Sequence, residues 1–205
     1  MAYYLVRLYS GSGDRPMEQL IQETVMNDLV PKLQEGGGLQ RYLAVITDDG
    51  RTGSASLYES KKAADRGLQI AREWGQNAGA MRGYQLTSAF GGQVIRQRHG
   101  EAHGQRVTHG VARLYSTNAT AEQVADAIEQ YGDPAVDAIQ GRARTLITQL
   151  DDGRVGIFAG FTSQESRDKH GQAVRQHRIS VEAMKAVLPS EPQEINTRVI
   201  AERSF

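Results

Sequence analysis

The spacing of apolar residues along the first half of the chain alternates between the period of a strand and the period of a helix. Short stretches rich in aromatic and β-branched residues end at glycine, aspartate or serine, which is typical of strands joined by turns. Two longer stretches carry apolar residues about every 3.6 positions, which predicts amphipathic helices. The pattern predicts the order β-α-β-β-α-β, with strands at Tyr3–Tyr9, Leu39–Thr47, Thr52–Tyr58 and Ala89–Arg98.

The two helices of this half have recognisable boundaries. Asp14 can cap the first helix, and the glycines of "EGGG" at 35–38 end it. Pro31 lies inside this helix and is expected to kink or shorten it, because proline has no backbone N–H to donate. Ser60 caps the second helix, which is expected to run through Trp74 towards Tyr84.

The second half of the chain repeats this order of elements. Thr120 and Gln123 fit a capping box before its first helix, which Pro134 interrupts. Thr162 or Ser163 opens its second helix. Strands are predicted at Val107–Tyr115, Arg142–Leu150, Val155–Phe161 and Glu194–Arg203.

Sequence identities between the halves indicate an internal duplication. Placing Gly38–Arg82 over Gly141–Lys185 gives 14 identical residues in 45 positions without a gap. "DDGR" occurs in both halves between two predicted strands, where glycine can adopt the positive φ of a hairpin turn. "VRLYS" at Val6–Ser10 also matches "ARLYS", and "QVIRQR" at Gln93–Arg98 matches "RVIAER", with shifts of 106 and 105 residues.

A period of about 100 residues has the size of a small domain. We interpret the chain as two copies of one domain, at 1–98 and 107–205, joined by a polar linker at 99–106. β-α-β-β-α-β is the order of ferredoxin-like domains, in which both helices cover one face of the sheet. The other face of each sheet carries no helix and must be buried against a second layer. The sequence therefore predicts an α+β fold, with two ferredoxin-like repeats packed sheet to sheet as a dimeric α/β barrel within one chain.

Composition narrows the functional classes. Lys plus Arg and Asp plus Glu both number 24, so the basic excess typical of nucleic-acid binders is missing, and no nucleic-acid partner is expected. No apolar run reaches membrane-spanning length, and the first residues resemble a strand, so we expect no membrane association and a cytoplasmic protein. The absence of cysteine excludes disulfides and thiolate ligands. His99 and His103 of the linker have the i, i+4 spacing of a metal-binding pair on a helix, but Gly100 and Gly104 argue against a helix and no carboxylate completes the site, so no metal is expected.

Three stretches of the first copy carry a family resemblance: "RLYSGSG", "LVPKLQEGGGLQRYLAVITDDGR" and "YESKKAADRGLQIAREW". They resemble the antibiotic-biosynthesis-monooxygenase-like branch of the dimeric α/β barrel superfamily. The first copy matches over nearly its whole length and the second more weakly. The resemblance implies the barrel fold. Members of the superfamily include cofactor-free monooxygenases that act on polyphenols, haem-degrading enzymes and small stress-induced proteins.

Haem-degrading members of the superfamily use an asparagine on the first strand and a histidine on the second helix. Here the corresponding strand positions offer Arg7 and Tyr9 in the first copy, and the second helix of the second copy carries His170 and His177. His177 occupies the place of Trp74. We therefore expect no haem and no other cofactor.

Candidate ligand-binding residues lie mostly on strands of the first copy. Tyr9, Tyr42 and Tyr58 come from three adjacent predicted strands, and Trp74 shares a helix face with Asn77. These residues fit the wall of a pocket for a small aromatic ligand, although ordinary core packing is the more usual role of large aromatic side chains. Arg7 lies between apolar neighbours, where a buried guanidinium pairs with a carboxylate of the protein or an anionic ligand.

The sequence leaves two functions open. The first is a small-molecule-binding or stress-related protein without catalysis, because no constellation of acid, base and nucleophile is present. The alternative is a cofactor-independent monooxygenase that acts on a phenolic or quinol substrate, in which no catalytic residue is assigned. In either case we expect a pseudo-dimeric monomer, which can associate further as a homo-oligomer.

Overall fold

The structure is a computed structural model that describes residues 1–11, 16–77, 81–132 and 134–205, without the side chains of Asn77 and Ala135. The predicted cap Asp14 lies outside the described residues. In the described part of the chain there are eight strands: β1 Tyr3–Gly11, β2 Leu39–Thr47, β3 Thr52–Tyr58, β4 Tyr84–His99, β5 His109–Tyr115, β6 Arg142–Leu150, β7 Val155–Phe161 and β8 Gln193–Ser204.

Helical segments separate the strands in each half. The described segments are α1 Met17–Leu20, α2 Ile21–Leu29, α3 Val30–Glu35, α4 Lys61–Asn77, α5 Ala121–Tyr131, α6 Pro134–Asp137, α7 Gln164–Ser180 and α8 Glu182–Val187. Hydrogen bonds join the strands in the order β1-β3-β2-β8-β5-β7-β6-β4, which closes into a barrel. The predicted α+β class is confirmed, and the strands form a closed antiparallel barrel.

The chain divides into two compact units. The first contains Met1–Gln93 and Arg198–Phe205, and the second contains Val94–Thr197. The long strands β4 and β8 each pass from one unit into the other along the chain. The proposed repeat boundaries, 1–98 and 107–205 with a linker at 99–106, remain a prediction.

In the first unit, helices α1 to α4 pack against one face of the sheet. Ile21, Val25 and Leu29 lie on α2 and contact a core that includes Tyr42 of β2 and Trp74 of α4. The segment α2 is π-helical, and the Val30 N–H bonds to the Val25 carbonyl five residues earlier. This widened turn comes directly before Pro31, which lacks the N–H of an α-helical bond. The helix nevertheless continues through Pro31 to Glu35, so proline does not end it, and the expected kink remains a prediction.

The two hairpin turns have matching geometry. Gly50 and Gly153 adopt φ of 84° and 87°, and each donates its N–H to the carbonyl of the residue three positions earlier. The predicted hairpins are therefore confirmed, as is the Thr120–Gln123 capping box. The prediction that the helix of Trp74 continues towards Tyr84 is wrong, because β4 begins at Tyr84 and pairs there with the end of β1.

In the described residues no helix is long and apolar enough to cross a lipid bilayer.

Candidate functional site

A cavity of about 50 Å³ lies in the first unit between the sheet and its helices. Strands β1, β2 and β3 supply its floor, and helical residues of α1, α2 and α4 supply its walls. Four of the predicted ligand-binding residues line it: Arg7, Tyr9, Tyr42 and Trp74. The structure therefore brings together side chains that are up to 67 positions apart in the chain.

Strand register explains why these side chains share one face. Arg7 of β1 pairs with Ser54 of β3, and Ser54 pairs in turn with Ala44 of β2. Tyr9 pairs with Thr52, two residues away on each strand. Directly paired residues project to the same side of a sheet, and residues two apart repeat that side. The floor of the cavity follows from this alternation.

Arg7 is the charged group of this cavity. Its side chain is 3% exposed, and its Nη2 donates to the Ser54 hydroxyl at 3.2 Å. Its Nε is buried and has no hydrogen-bond partner among the described residues. No carboxylate of the described residues forms an ion pair with it. A buried guanidinium without a carboxylate is costly, because its charge is neither hydrated nor neutralised.

Trp74 is both a wall of the cavity and a member of the core of the first unit. Its indole Nε1 donates to Oδ2 of Asp28 at 2.6 Å, which fixes the ring across the helices. The Lys32 ammonium and this indole N–H hold the pKa of Asp28 below its ordinary value. Trp74 therefore has both of the roles that the sequence suggested: it is a core residue and also a wall of the cavity.

Among the cavity tyrosines, Tyr42 remains neutral near pH 7. Burial raises the pKa of Tyr42 above its ordinary value, although the Arg7 charge acts in the opposite direction. Tyr42 is almost fully buried and Tyr9 is half-buried. The cavity thus presents two phenol rings, an indole ring and one cation.

Two predicted ligand-binding residues do not contribute to this lining. Tyr58 lies on the same face of β3, but its hydroxyl points at Gly67 of α4 and its side chain fills the core beside the cavity. Asn77 lies at the end of α4, and its side chain is outside the described residues. Ser54 also lines the cavity, and no pattern in the sequence selected it.

A second cavity of about 80 Å³ lies in the second unit. It is lined by Arg113, Tyr115, Thr145 and His177, which the internal repeat aligns with Arg7, Tyr9, Tyr42 and Trp74. The sequence analysis selected candidate ligand-binding residues in the first copy only. The structure places a cavity at equivalent positions in both units.

Every arginine that lines the second cavity has a carboxylate partner. Arg113 donates from Nε to Glu194 at 2.8 Å, and Arg142 lies 2.8 Å from Asp137. Arg98 lies 3.0 Å from the same Asp137. The remaining arginine, Arg178, pairs with Glu191. Burial opposes the ionisation of Asp137, but Arg98 and Arg142 outweigh it and keep the pKa of Asp137 below its ordinary value.

His170 is a buried histidine of the second cavity that the sequence did not mark as functional. Its ring centroid lies 5.1 Å from that of Phe161, and its Nδ1 has no hydrogen-bond partner in the described part of the chain. Burial, assisted by the charges of Arg113 and Arg142, lowers the pKa of His170 to about 3. The imidazole is therefore neutral at physiological pH.

The second cavity does not fit a haem. Pockets for cofactor-sized ligands are about 300–1,000 Å³, several times the volume beside His170. His177, on the same helix, bonds through Nε2 to the Tyr131 carbonyl at 2.7 Å. The described residues also contain no cluster of three His, Asp or Glu side chains arranged to hold a metal ion.

Comparisons with known proteins give fold relatives only. No protein-family model matches the sequence, and the search of curated proteins found no match. Among solved structures, a "putative monooxygenase" from Fusobacterium nucleatum is similar, with a TM-score of 0.69 and 11% identity over 99% of this chain and 94% of that one.

Two further structures show the same likeness. An anthrone oxidase-like protein matches with a TM-score of 0.56 and 15% identity, covering 99% of this chain and 93% of that one. A mutant chlorite dismutase from Candidatus Nitrospira defluvii matches with a TM-score of 0.66 and 12% identity, covering 97% and 91%. At such identities the likeness concerns the fold. With its closed eight-stranded antiparallel barrel, the chain has the fold of the dimeric α/β barrel proteins that its sequence resembles.

Proposed function

We propose that the protein binds a small aromatic molecule in the cavity of the first unit. The observation that carries this proposal is the joint lining of one cavity by Tyr9, Tyr42 and Trp74 together with Arg7. Aromatic walls with a few placed polar groups are typical of small-molecule sites, since the rings provide contact area and the polar groups fix orientation.

The volume of the cavity limits the ligand. About 50 Å³ is well below the roughly 150 Å³ of an engineered cavity that holds benzene. A ring therefore enters only if lining side chains move. Met17 and Met81 line the cavity and are only partly buried, and methionine adapts its shape readily. We infer that these two methionines rotate when a ligand binds.

The intrinsic fluorescence of Trp74 tests the proposal directly, because it is the only tryptophan of the chain. Titration with a panel of phenols, quinols and aromatic acids should change its emission in a saturable way. Calorimetry should then show weaker binding by Trp74→Phe and unchanged binding by His177→Phe, the same replacement at the aligned position. Equal effects of both variants, or no saturable binding of any panel member, would count against the site.

The alternative function is a cofactor-independent monooxygenase that acts on a phenolic or quinol substrate. The names of two similar structures, a monooxygenase and an anthrone oxidase-like protein, favour it. Arg7 also suits this chemistry, because a nearby cation lowers the pKa of a bound phenol and stabilises the phenolate. Oxygen consumption with the same panel tests this alternative. Substrate-dependent uptake that Trp74→Phe reduces would assign catalysis, and saturable binding without uptake would assign binding alone.

We also propose that the chain is a tandem duplication of a ferredoxin-like domain, with copies at 1–98 and 107–205. The repeated order of elements, the matched hairpin turns and the aligned cavities support this proposal. Superposition of the two copies in a crystal structure tests it. If the helices of the superposed copies lie on opposite faces of their sheets, the proposal is wrong. A pseudo-dimeric monomer, further homo-oligomerisation and a cytoplasmic location remain predictions, which sedimentation and fractionation can test.

A further inference from the structure

Two aligned arginines of the chain differ in whether they form an ion pair with a carboxylate. In the second unit, Glu194 of β8 accepts a hydrogen bond from Arg113 at 2.8 Å and lies 3.4 Å from Arg175 of α7. Asn196 also donates to Glu194, at 3.2 Å. One carboxylate thus neutralises a fully buried arginine and orders a second, exposed one.

The first copy keeps both arginines and lacks this carboxylate. The repeat aligns Arg113 with Arg7 and Arg175 with Arg72, whereas the shift of 105 residues places Ala89 at the position of Glu194. Ala89 is the direct cross-strand partner of Arg7 in the pairing of β1 with β4. Its side chain therefore lies on the same face as Arg7, where a glutamate would reach the guanidinium.

Among the described residues no carboxylate neutralises the charge of Arg7, so a group from outside the chain can do so. The guanidinium is 3% exposed and lines the cavity, and its Nε has no partner among the described residues. The Ser54 hydroxyl supplies a hydrogen bond and no negative charge. A buried cation of this kind is stabilised best by an anionic acceptor that enters the same space.

We propose that the cavity of the first unit binds its ligand through an anionic oxygen group, a carboxylate or a phenolate, which pairs with Arg7 and takes the place that Glu194 holds in the second unit. This inference rests on the proposed function, because it names the charge of the ligand bound at that site. The second cavity, whose arginines are all paired, has no such preference for anions.

The volume of the cavity agrees with this assignment. About 50 Å³ accommodates the oxygen atoms of a carboxylate without any rearrangement, whereas a whole ring requires movement of the methionines. The anionic group of the ligand therefore lies deepest, against Arg7, and its ring lies towards Trp74. Ala89 is exposed, so its replacement is tolerated by the fold.

Benzoate and benzamide test the inference because they have nearly the same shape and differ in charge. The wild-type protein should bind benzoate about tenfold or more tightly than benzamide, as a charge-assisted pair requires. Ala89→Glu should lower the affinity for benzoate by about tenfold or more, because its carboxylate neutralises Arg7 internally. Ala89→Gln, of the same size without charge, should change it less than about threefold.

The possible outcomes separate the two proposals. Equal affinity of the wild type for benzoate and benzamide, or undiminished benzoate binding by Ala89→Glu, would overturn the anion inference and leave an aromatic site. Binding of formate that Ala89→Glu abolishes, without binding of benzoate, would support the anion site and overturn the aromatic ligand. If neither benzoate, benzamide nor formate binds to the wild type, both the proposed function and this inference are wrong.

Discussion

The two cavities are built from aligned positions, yet only one of them neutralises its own charges. In the second unit Arg113 has Glu194, and the other lining arginines also have carboxylates. In the first unit Arg7 has one hydroxyl and, among the described residues, no acid. A buried arginine that loses its carboxylate leaves an uncompensated charge. The comparison therefore separates a paired arginine of the second unit from the arginine that we propose as a binding group in the first unit.

A second difference concerns volume. Tyr58 and Gly67 of the first unit align with Phe161 and His170 of the second. A Cβ atom added to Gly67 would lie 2.4 Å from the Tyr58 hydroxyl, and in the second unit the His170 ring packs beside a phenylalanine that lacks this hydroxyl. In the first unit the tyrosine of the strand faces a glycine of the helix, and in the second unit a phenylalanine of the strand faces a histidine of the helix. In each pair the helix residue matches the space that the strand residue leaves, as close packing requires.

The largest expected effect comes from removing the carboxylate of the second unit. Glu194→Ala leaves the 2% exposed Arg113 without its partner and should lower the free energy of unfolding by about 3 kcal/mol. Urea denaturation measures this. Glu191→Ala is the control, and it should cost less because Arg178 retains the carbonyls of Leu188 and Ser190. Equal losses in both variants would show that the loss does not come from leaving Arg113 without a partner.

Lowering the pH should destabilise the second unit through protonation of His170. Its pKa of about 3 lies below the ordinary value of 6.5, so folding favours the neutral ring. The resulting stability is complete above pH 6.5 and is lost as pH falls towards 3, by about 2 kcal/mol between pH 7 and pH 5. The charges that face this ring are Arg113, Arg142 and Asp137.

The pH dependence of urea denaturation checks this expectation. His170→Leu should flatten the profile between pH 7 and pH 5. An unaltered slope in His170→Leu would show that another group titrates.

A smaller loss is expected from filling the space opposite Tyr58. Gly67→Ala should destabilise the first unit by about 1–2 kcal/mol through overpacking, despite the better helix propensity of alanine. In a Tyr58→Phe background this loss should shrink, because the atom 2.4 Å from the new Cβ is gone. A double-mutant cycle by chemical denaturation gives the coupling energy. Additive losses would contradict the complementary packing inferred for the two units.

The smallest effect is a gain. Ala89→Glu should raise the free energy of unfolding by about 1 kcal/mol or less, because it gives Arg7 the partner that Arg113 already has. Thermal unfolding at low and high salt measures it, with Ala89→Gln as the uncharged control. A gain that is equal for glutamate and glutamine would not come from the charge of Arg7.

Much of the fold was predictable from local patterns. Strands β2, β3, β6 and β7 have the predicted bounds, since alternation and the "DDGR" turns define them on both sides. The beginning of β4 was not predictable in this way. Gln85 and Ser88 interrupt the residues before Ala89, and pairing of Tyr84 with Gly11 of β1 extends the strand to Tyr84. Tertiary hydrogen bonding decided this boundary.

The candidate site was predictable in part. Alternation along β1 and β2 selected Arg7, Tyr9 and Tyr42, because the same face of a strand faces the same space. Tyr58 satisfied this rule too, but its hydroxyl points at Gly67. The alignment of the two copies could have pointed to Glu194, because it places the uncharged Ala89 of the first copy at the position of this glutamate. The difference becomes meaningful only once the structure shows that Arg113 needs a carboxylate partner.

By itself the sequence determined the order of elements, the two turns and the resemblance to one fold, because these depend on neighbours along the chain and on a repeat. Only the tertiary structure decided which arginine is neutralised, because Arg113 and Glu194 are 81 residues apart and meet through strand pairing. The structure also showed that Arg7 faces Ala89 instead. Charge compensation depends on distances across strands, and the sequence of either strand alone does not contain them.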